Sequence, residues 1–146
     1  MSKKSEVNYI GDDTYLDKEK VTDIAHIVIG NYWKFKERPP ERFKLDINVV
    51  TDNEIREINK EYLKRDRPTD VIAFSLNEGE EVPEADIPLI GQIVISKDAA
   101  QRQAGDYNHS VSDEMAVLLI HGLLHVAGWE EGEEIQECQK KIKEQL

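Results

Sequence analysis

The segment from residue 112 to about 127 is apolar on nearly every side, and this feature most constrains how the chain folds. Ser110 and Asp113 have the spacing of a capping box at its start, and Gly128 follows its end. A helix that is apolar all round has no side suited to water, so other elements must surround it. The segment therefore predicts a buried central helix.

Two histidines lie on this helix. His121 and His125 are four residues apart, so both imidazole rings point to the same side, one turn apart. This is the spacing of two zinc ligands on a helix. The alternative is a pair of core histidines, but both would then need hydrogen-bond partners in a dry interior. The spacing therefore predicts a metal site. Gly122 stands where metalloproteases carry their general-base glutamate, which argues against a peptidase.

The third ligand is expected just after Gly128, where the chain turns back. A catalytic zinc takes three protein ligands and keeps one position open. Four carboxylates follow the turn, and any of them could complete the site. Most of them have a simpler explanation, as solvated charges or as partners of the last helix's N-terminus. The residue pattern leaves open the choice between Glu130, Glu131, Glu133 and Glu134.

The rest of the chain predicts helices mixed irregularly with strands. Alternating or apolar runs predict strands at 7–10, 45–49, 71–74 and 91–96. Helical patterns cover 17–29, which we expect to end at Gly30, and 97–104. Thr51 and Glu54 open another helix, which Arg67-Pro68 should break, and 77–88 should be a loop. A last helix carries the stripe Ile135, Cys138 and Ile142. This order predicts a single α+β domain over residues 1–146, with a small mixed sheet packed by helices.

Charge restricts the partners. The chain has 146 residues and a net charge of −11, so its average field repels nucleic acid. A phosphate-bearing partner would need a local basic patch or a metal ion. Residues 63–67 are one such patch. Residues 32–44 hold five basic residues among aromatic ones, although these aromatics are more typical of a core. No apolar run is long enough to span a bilayer, and the chain has a single cysteine. We therefore expect a cytoplasmic protein.

Four blocks of sequence resemble a known family. They are HGLLHVAGW at 121–129, DRPTDVIAF at 66–74, GQIVIS at 91–96 and NEIREIN at 53–59. Their order and spacing are similar to those of the YbeY-type endoribonucleases, which are rRNA maturation factors. The resemblance implies zinc and metal-dependent cleavage of single-stranded RNA. It also implies ribosomal RNA and the small ribosomal subunit as partners, with no DNA and no membrane.

The resemblance also assigns site residues. Glu131 stands where the family carries its third zinc histidine, which makes His121, His125 and Glu131 the expected ligands, since zinc accepts a carboxylate. Gln92 replaces a family aspartate, and Leu63 replaces a functional arginine. The nearest cations are the candidates for substrate binding: Lys64, Arg65 and Arg67.

Three residues of the second block are the candidates for catalysis: Asp66, Thr69 and Asp70. Pro-Thr-Asp is also ordinary turn chemistry at the entry to a strand, so a structural role is the alternative. Leu63 and Glu131 keep a second function open, a non-catalytic RNA- or ribosome-binding factor that retains the fold. A metal-dependent hydrolase of another ester or amide is a third.

Overall fold

Nine helices and strands make up the part of the chain described by the structure, a computed structural model covering residues 5–35, 38–76 and 87–146. Each strand and helix expected from the sequence is present, with its ends displaced by a few residues. Of the loop expected at 77–88, residues 77–86 lie outside the described ranges. In chain order the elements are β1 (Glu6–Gly11), α1 (Lys18–Tyr32), β2 (Lys44–Val50), α2 (Asp52–Leu63), β3 (Val71–Ser75), β4 (Leu89–Ser96), α3 (Lys97–Asp106), α4 (Val111–Val126) and α5 (Glu133–Gln145).

The four strands form one mixed sheet in the order β1-β2-β4-β3. Strands β1, β2 and β4 are parallel, whereas β3 is antiparallel to β4 and lies at the edge. Helices and strands follow one another without a strict alternation, so the α+β fold with a mixed sheet is confirmed. The edge position of β3 matters for the site, because the helix with the two histidines passes beside it.

Helix α4 lies at the centre of the molecule, as its apolar surface predicts. It packs against β3 and β4 on one side and against α1, α3 and α5 on the others. Gly122 lets it approach the sheet closely, since a Cβ there would lie 2.8 Å from Cγ2 of Ile93 and 3.4 Å from Cγ2 of Val71. A glycine inside a helix costs about 1 kcal/mol, and here it permits this contact.

Helix α2 begins and ends with well-defined caps. Thr51 and Glu54 form the expected capping box. The helix ends at Leu63, four residues before the Arg67-Pro68 break expected from the sequence, because Lys64 takes the left-handed conformation with a φ of 59°. Asn59 is only 2% exposed, and its Nδ2 donates to the backbone oxygen of Arg67 at 2.8 Å. This hydrogen bond anchors the loop that leads to β3.

Helix α1 does not end at Gly30 as expected. It continues to Tyr32, because Gly30 keeps a helical conformation and the buried neighbours Val28 and Ile29 hold the last turn on the core. The chain then turns at Trp33, and the amide of Lys34 donates to the oxygen of Ala127 at 2.8 Å. Among the described residues, no helix is both long and apolar enough to cross a membrane.

Candidate metal centre

The two histidines of α4 face each other across one helical turn. Their ring centroids are 4.7 Å apart, and the Nε2 atoms of His121 and His125 are separated by 3.1 Å. The two side chains are 21% and 26% exposed, so they lie at the border between core and solvent. The helical spacing therefore brings the two imidazole nitrogens together, as the sequence predicts.

Glu131 completes the cluster. The chain reverses at Gly128, which has a φ of 103°, and the amide of Trp129 donates back to the oxygen of Leu124 at 3.0 Å. After this turn, Oε1 of Glu131 lies 2.8 Å from Nε2 of each histidine. Glu134, one of the other carboxylates considered from the sequence, pairs instead with Lys34 at 3.7 Å. His121, His125 and Glu131 form a group that could hold a metal ion.

The chemistry of the donor atoms fits a divalent metal ion. Nδ1 of His121 lies 2.8 Å from Oε1 of Gln139 on α5, an acceptor, so the ring proton belongs on Nδ1 and the lone pair on Nε2. Ligands held about 2.0–2.1 Å from a tetrahedral zinc are separated by about 3.3 Å. The three donor atoms are 2.8 to 3.1 Å apart, so small movements would admit the ion.

Electrostatics favour an anionic Glu131. Partial burial raises the pKa of its carboxyl, but the close contacts with the imidazole rings of His125 and His121 together outweigh this effect and leave the pKa below its ordinary value. The carboxylate side chain is 69% exposed, so solvent reaches the cluster. A charged oxygen beside two imidazole nitrogens is a donor set that zinc accepts.

A cavity of about 290 Å³ lies beside the cluster. It is bounded by the end of α2, the loop after it, the edge strand β3 and the helix α4. The lining residues are Asn59, Leu63, Arg65, Arg67, Thr69, Asp70, Val71, Ile72, Ala73, His121, Gly122, His125 and Glu131.

Two of the three candidate substrate-binding residues line this cavity. Arg65 and Arg67 line it, and within the described residues neither guanidinium forms an ion pair, whereas Arg56 is paired. Lys64 is not part of the lining, and its Nζ donates to the backbone oxygen of Glu61 at 3.2 Å. The two free guanidinium groups are therefore the positive charges available beside the cluster.

Two of the three candidate catalytic residues line the cavity as well. Thr69 and Asp70 line the cavity. The carboxylate of Asp70 accepts from the amide of Val71 at 2.8 Å and from Nε2 of Gln103 at 3.2 Å. Asp66 lies outside the lining and binds Nε of Arg56 at 2.8 Å, a hydrogen bond that lowers the pKa of its carboxyl.

The second basic segment, 32–44, offers little aromatic surface. Phe43 is 1% exposed and belongs to the core, while Trp33 and Phe35 contact each other with ring centroids 5.2 Å apart. Lys34 lies over the ring of Trp129, with its Nζ 4.4 Å from the centroid. In the described part of this segment, the aromatic side chains therefore stabilise the fold, which is the interpretation that the sequence favours.

Two residues of the site were not foreseen from the sequence. Nothing in the sequence singles out Gln139, yet its side-chain oxygen fixes the ring of His121. Asn59 appears as an ordinary polar residue of α2, yet it is buried and holds the loop with the arginines. A buried polar residue on the polar side of a helix has no periodic signal, so only the packing reveals it.

Comparisons with known proteins identify relatives of this chain and a solved structure with the same fold. The family model described as endoribonuclease YbeY matches residues 6–146. An endoribonuclease YbeY from Bacillus velezensis is 37% identical over 94% of this chain and 88% of its own length. The one from Bacillus subtilis is 40% identical over 73% of this chain and 74% of its own. The solution structure of TM1509 from Thermotoga maritima shares the fold, with a TM-score of 0.61 and 24% identity over 94% of this chain and 87% of that one.

Proposed function

This chain belongs to the endoribonuclease YbeY family, and we propose that it is a zinc-dependent endoribonuclease that cuts single-stranded RNA during maturation of ribosomal RNA. The proposed substrate is RNA of the small ribosomal subunit, in the cytoplasm. One observation carries the proposal: a single cavity is lined both by the cluster that could hold a metal ion and by Arg65 and Arg67. Neither arginine forms an ion pair among the described residues.

The proposed metal ligands are His121, His125 and Glu131. A zinc ion held by them would supply a Lewis acid, able to polarise a phosphoryl oxygen or to lower the pKa of a water molecule. Gln139 acts as a positioning residue, because its oxygen holds His121 with the Nε2 lone pair free. A set of three protein ligands would fit a catalytic zinc site, which keeps one position open.

The remaining proposed roles concern the RNA. Arg65 and Arg67 bind phosphate, for which the planar guanidinium fork is suited. The Thr69 hydroxyl donates a hydrogen bond to a phosphate oxygen in the cavity. Asp70 is a positioning residue that fixes the start of β3 through Val71, and Asp66 holds the loop to α2 through Arg56.

Leu63 favours a second candidate function. Its side chain is 44% exposed and lines the cavity at the position where the family resemblance places an arginine. Leucine cannot bind phosphate, so a factor that binds RNA or the ribosome without cutting is the alternative. The two functions differ in one observable, the cleavage of RNA.

The test measures cleavage of a fluorescent single-stranded RNA by the purified protein. We expect cleavage that a chelator abolishes and added zinc restores, and that His121→Ala removes. His26→Ala is the matched control, because His26 is an exposed histidine of α1 outside the metal cluster, and it should cut RNA at the rate of the unchanged protein. RNA binding without cleavage by the zinc-loaded protein would refute the proposal in favour of the non-catalytic factor.

A further inference from the structure

The outer edge of β3 is open beside the metal cluster. Within the sheet, β3 pairs with β4 alone, so its other edge carries backbone groups that form no strand ladder among the described residues. Val71, Ile72 and Ala73 line the same cavity as His121 and His125. Backbone donors and acceptors of β3 thus border the place where the substrate of the proposed function would lie.

The ladder fixes which backbone groups point to the open edge. Ser96 donates its amide to the oxygen of Asp70 at 2.8 Å, and Leu76 donates to Ile90 at 3.0 Å. Hydrogen-bonded pairs alternate along an antiparallel ladder, so positions 72 and 74 also bond to β4. Positions 71, 73 and 75 therefore direct their N–H and C=O groups outward.

Ala73 offers a complete donor–acceptor pair. The amide of Val71 is already occupied by Oδ1 of Asp70 at 2.8 Å. In the described part of the chain, neither the N–H nor the C=O of Ala73 forms a hydrogen bond. An N–H and a C=O that point the same way from one residue resemble the carboxamide of Asn or Gln, which binds a base edge through two hydrogen bonds.

We propose that the N–H and C=O of Ala73 bind the Watson–Crick edge of one unpaired RNA base beside the cleavage site. The inference rests on the proposed function and names the group that selects single strands. Each of the four bases carries a donor next to an acceptor on this edge, so the contact tolerates any sequence. In a duplex the edge is engaged by the partner strand, so paired RNA is excluded.

Size and charge favour a nucleotide over an extended peptide strand. The cavity of about 290 Å³ lies at the lower end of the range for ligand sites, about 300–1,000 Å³, which suits one nucleotide. Arg65 and Arg67 in its lining suit the two phosphates that flank this nucleotide. Because Asp70 occupies the amide of Val71, little free edge remains for the repeated hydrogen bonds of an added strand.

The first test is Ala73→Pro, which removes this donor. Proline is tolerated on an edge strand where the N–H faces outward, so the fold should persist, as circular dichroism would check. We expect single-stranded RNA to bind about 2- to 12-fold more weakly, the effect of one lost hydrogen bond. The dependence of affinity on salt should not change, because no phosphate contact is lost.

A scan of the RNA provides the control. Short single-stranded RNAs with an abasic nucleotide at each position in turn should show one position where the unchanged protein loses affinity. On that RNA the proline variant should bind as well as the unchanged protein, since the contact is already absent. A loss from Ala73→Pro that persists on every abasic RNA would indicate a structural effect or another occupant, and would overturn the inference.

A second variant covers the case in which the proline variant does not fold. Lactic acid at position 73 replaces the amide by an ester, which removes the N–H and keeps the side chain. The same abasic-dependent loss is expected. Cleavage of RNA by the unchanged protein, with full affinity in this ester variant, would overturn the Ala73 inference alone. Failure of the unchanged protein to bind RNA at all would overturn both this inference and the proposed function.

Discussion

Glu131 meets the two histidines because the chain reverses sharply at Gly128. The turn places one carboxylate oxygen 2.8 Å from both imidazoles, while Glu134 is engaged by Lys34. A carboxylate in this position adds one negative charge to the ligand set compared with a third histidine. The identity of the third ligand is therefore a property of this turn and can be tested by single substitutions.

We predict that Glu131→Ala lowers the zinc content from about one ion per chain to a small fraction, because two ligands hold zinc much less well than three. Mass spectrometry on protein purified without chelator or nickel resin measures this content. Glu130→Ala is the matched control, since Glu130 lies outside the metal-binding group, and it should keep the zinc. Glu131→His should also keep it, because imidazole is an equivalent ligand. Zinc retained by Glu131→Ala would mean that another group closes the site.

The sequence predicts some of these residues better than others. His121 and His125 follow from helical periodicity, because a spacing of four residues has one geometric meaning on a helix. Glu131 could not be separated from its acidic neighbours by spacing, since the turn at Gly128 decides which carboxylate points inward. Gln139 lies on a different helix, so its contact with His121 depends on how α5 packs on α4.

At the scale of elements, the contact between α4 and the sheet depends on Gly122. A methyl group at this position would lie 2.8 Å from Cγ2 of Ile93, inside van der Waals contact. Both the helix and the strand are held by the core, so neither can move away freely. The same contact places the face of α4 that carries His121 and His125 beside the edge strand β3.

We predict that Gly122→Ala lowers the free energy of unfolding by about 1–3 kcal/mol, the usual cost of overpacking a core. Urea denaturation followed by circular dichroism measures the change. Gly105→Ala is the matched control, because Gly105 is also helical and a Cβ there has no atom within 4 Å. This control should gain about 0.4–1 kcal/mol, since alanine restricts the unfolded chain. A gain for Gly122→Ala as large as that of the control would show that the helix can shift at no cost.

Asp52 links the start of α2 to α3. Its carboxylate accepts from Arg102 at 2.6 Å and from the Ser96 hydroxyl at 2.8 Å. These hydrogen bonds, that from Arg102 above all, hold the pKa of Asp52 below its ordinary value. A lowered pKa in the folded state means that the ionised form stabilises the fold. This contribution is present above the pKa of the unfolded chain, about 3.9, and is lost as the pH falls through the folded value.

We therefore predict that Asp52→Asn lowers the urea midpoint at pH 7 and that the difference from the unchanged protein disappears near pH 2. Asp23→Asn on α1 is the control, because Asp23 is exposed and forms no ion pair among the described residues, and it should leave the midpoint nearly unchanged at both values. A difference for Asp52→Asn that persists in acid would assign its effect to packing instead of charge.

Element types were more predictable than element ends. The caps of α2 and α4 follow from local hydrogen bonds of Thr51 and Ser110, which the sequence displays. The end of α2 at Leu63 does not, because it depends on the buried side chain of Asn59 and the left-handed Lys64. Glycine is typical of a helix end, but α1 continues past Gly30 because the neighbouring residues pack on the core.

At the scale of the whole molecule, the order of the strands in the sheet could not be predicted from the sequence. Strand β4 inserts between β2 and β3, so the edge position of β3 follows from pairings between residues far apart in the chain. Periodicity shows that a segment is a strand and which side it buries, but not its neighbours. The cavity beside the metal cluster depends on that order, because β3 forms one of its walls.

The overall charge must also be reconciled with an RNA substrate. A net charge of −11 repels phosphate at long range, so binding depends on the cations beside the cavity. Each phosphate neutralised on a single strand lowers the logarithm of affinity by about 0.7 per tenfold rise in salt. With Arg65 and Arg67 each binding one phosphate, the expected slope is about −1.4, which is shallow for a protein that binds nucleic acid.

We predict that Arg65→Ala and Arg67→Ala each reduce this slope by about 0.7, as fluorescence anisotropy with single-stranded RNA at several salt concentrations would measure. Lys143→Ala is the control, because its ammonium group is engaged by Asp113 and lies outside the cavity lining, so the slope should stay near −1.4. Unchanged slopes in both cavity variants would mean that the phosphates are bound elsewhere. The basic segment 32–44 would then be the next surface to test, since it holds five basic residues.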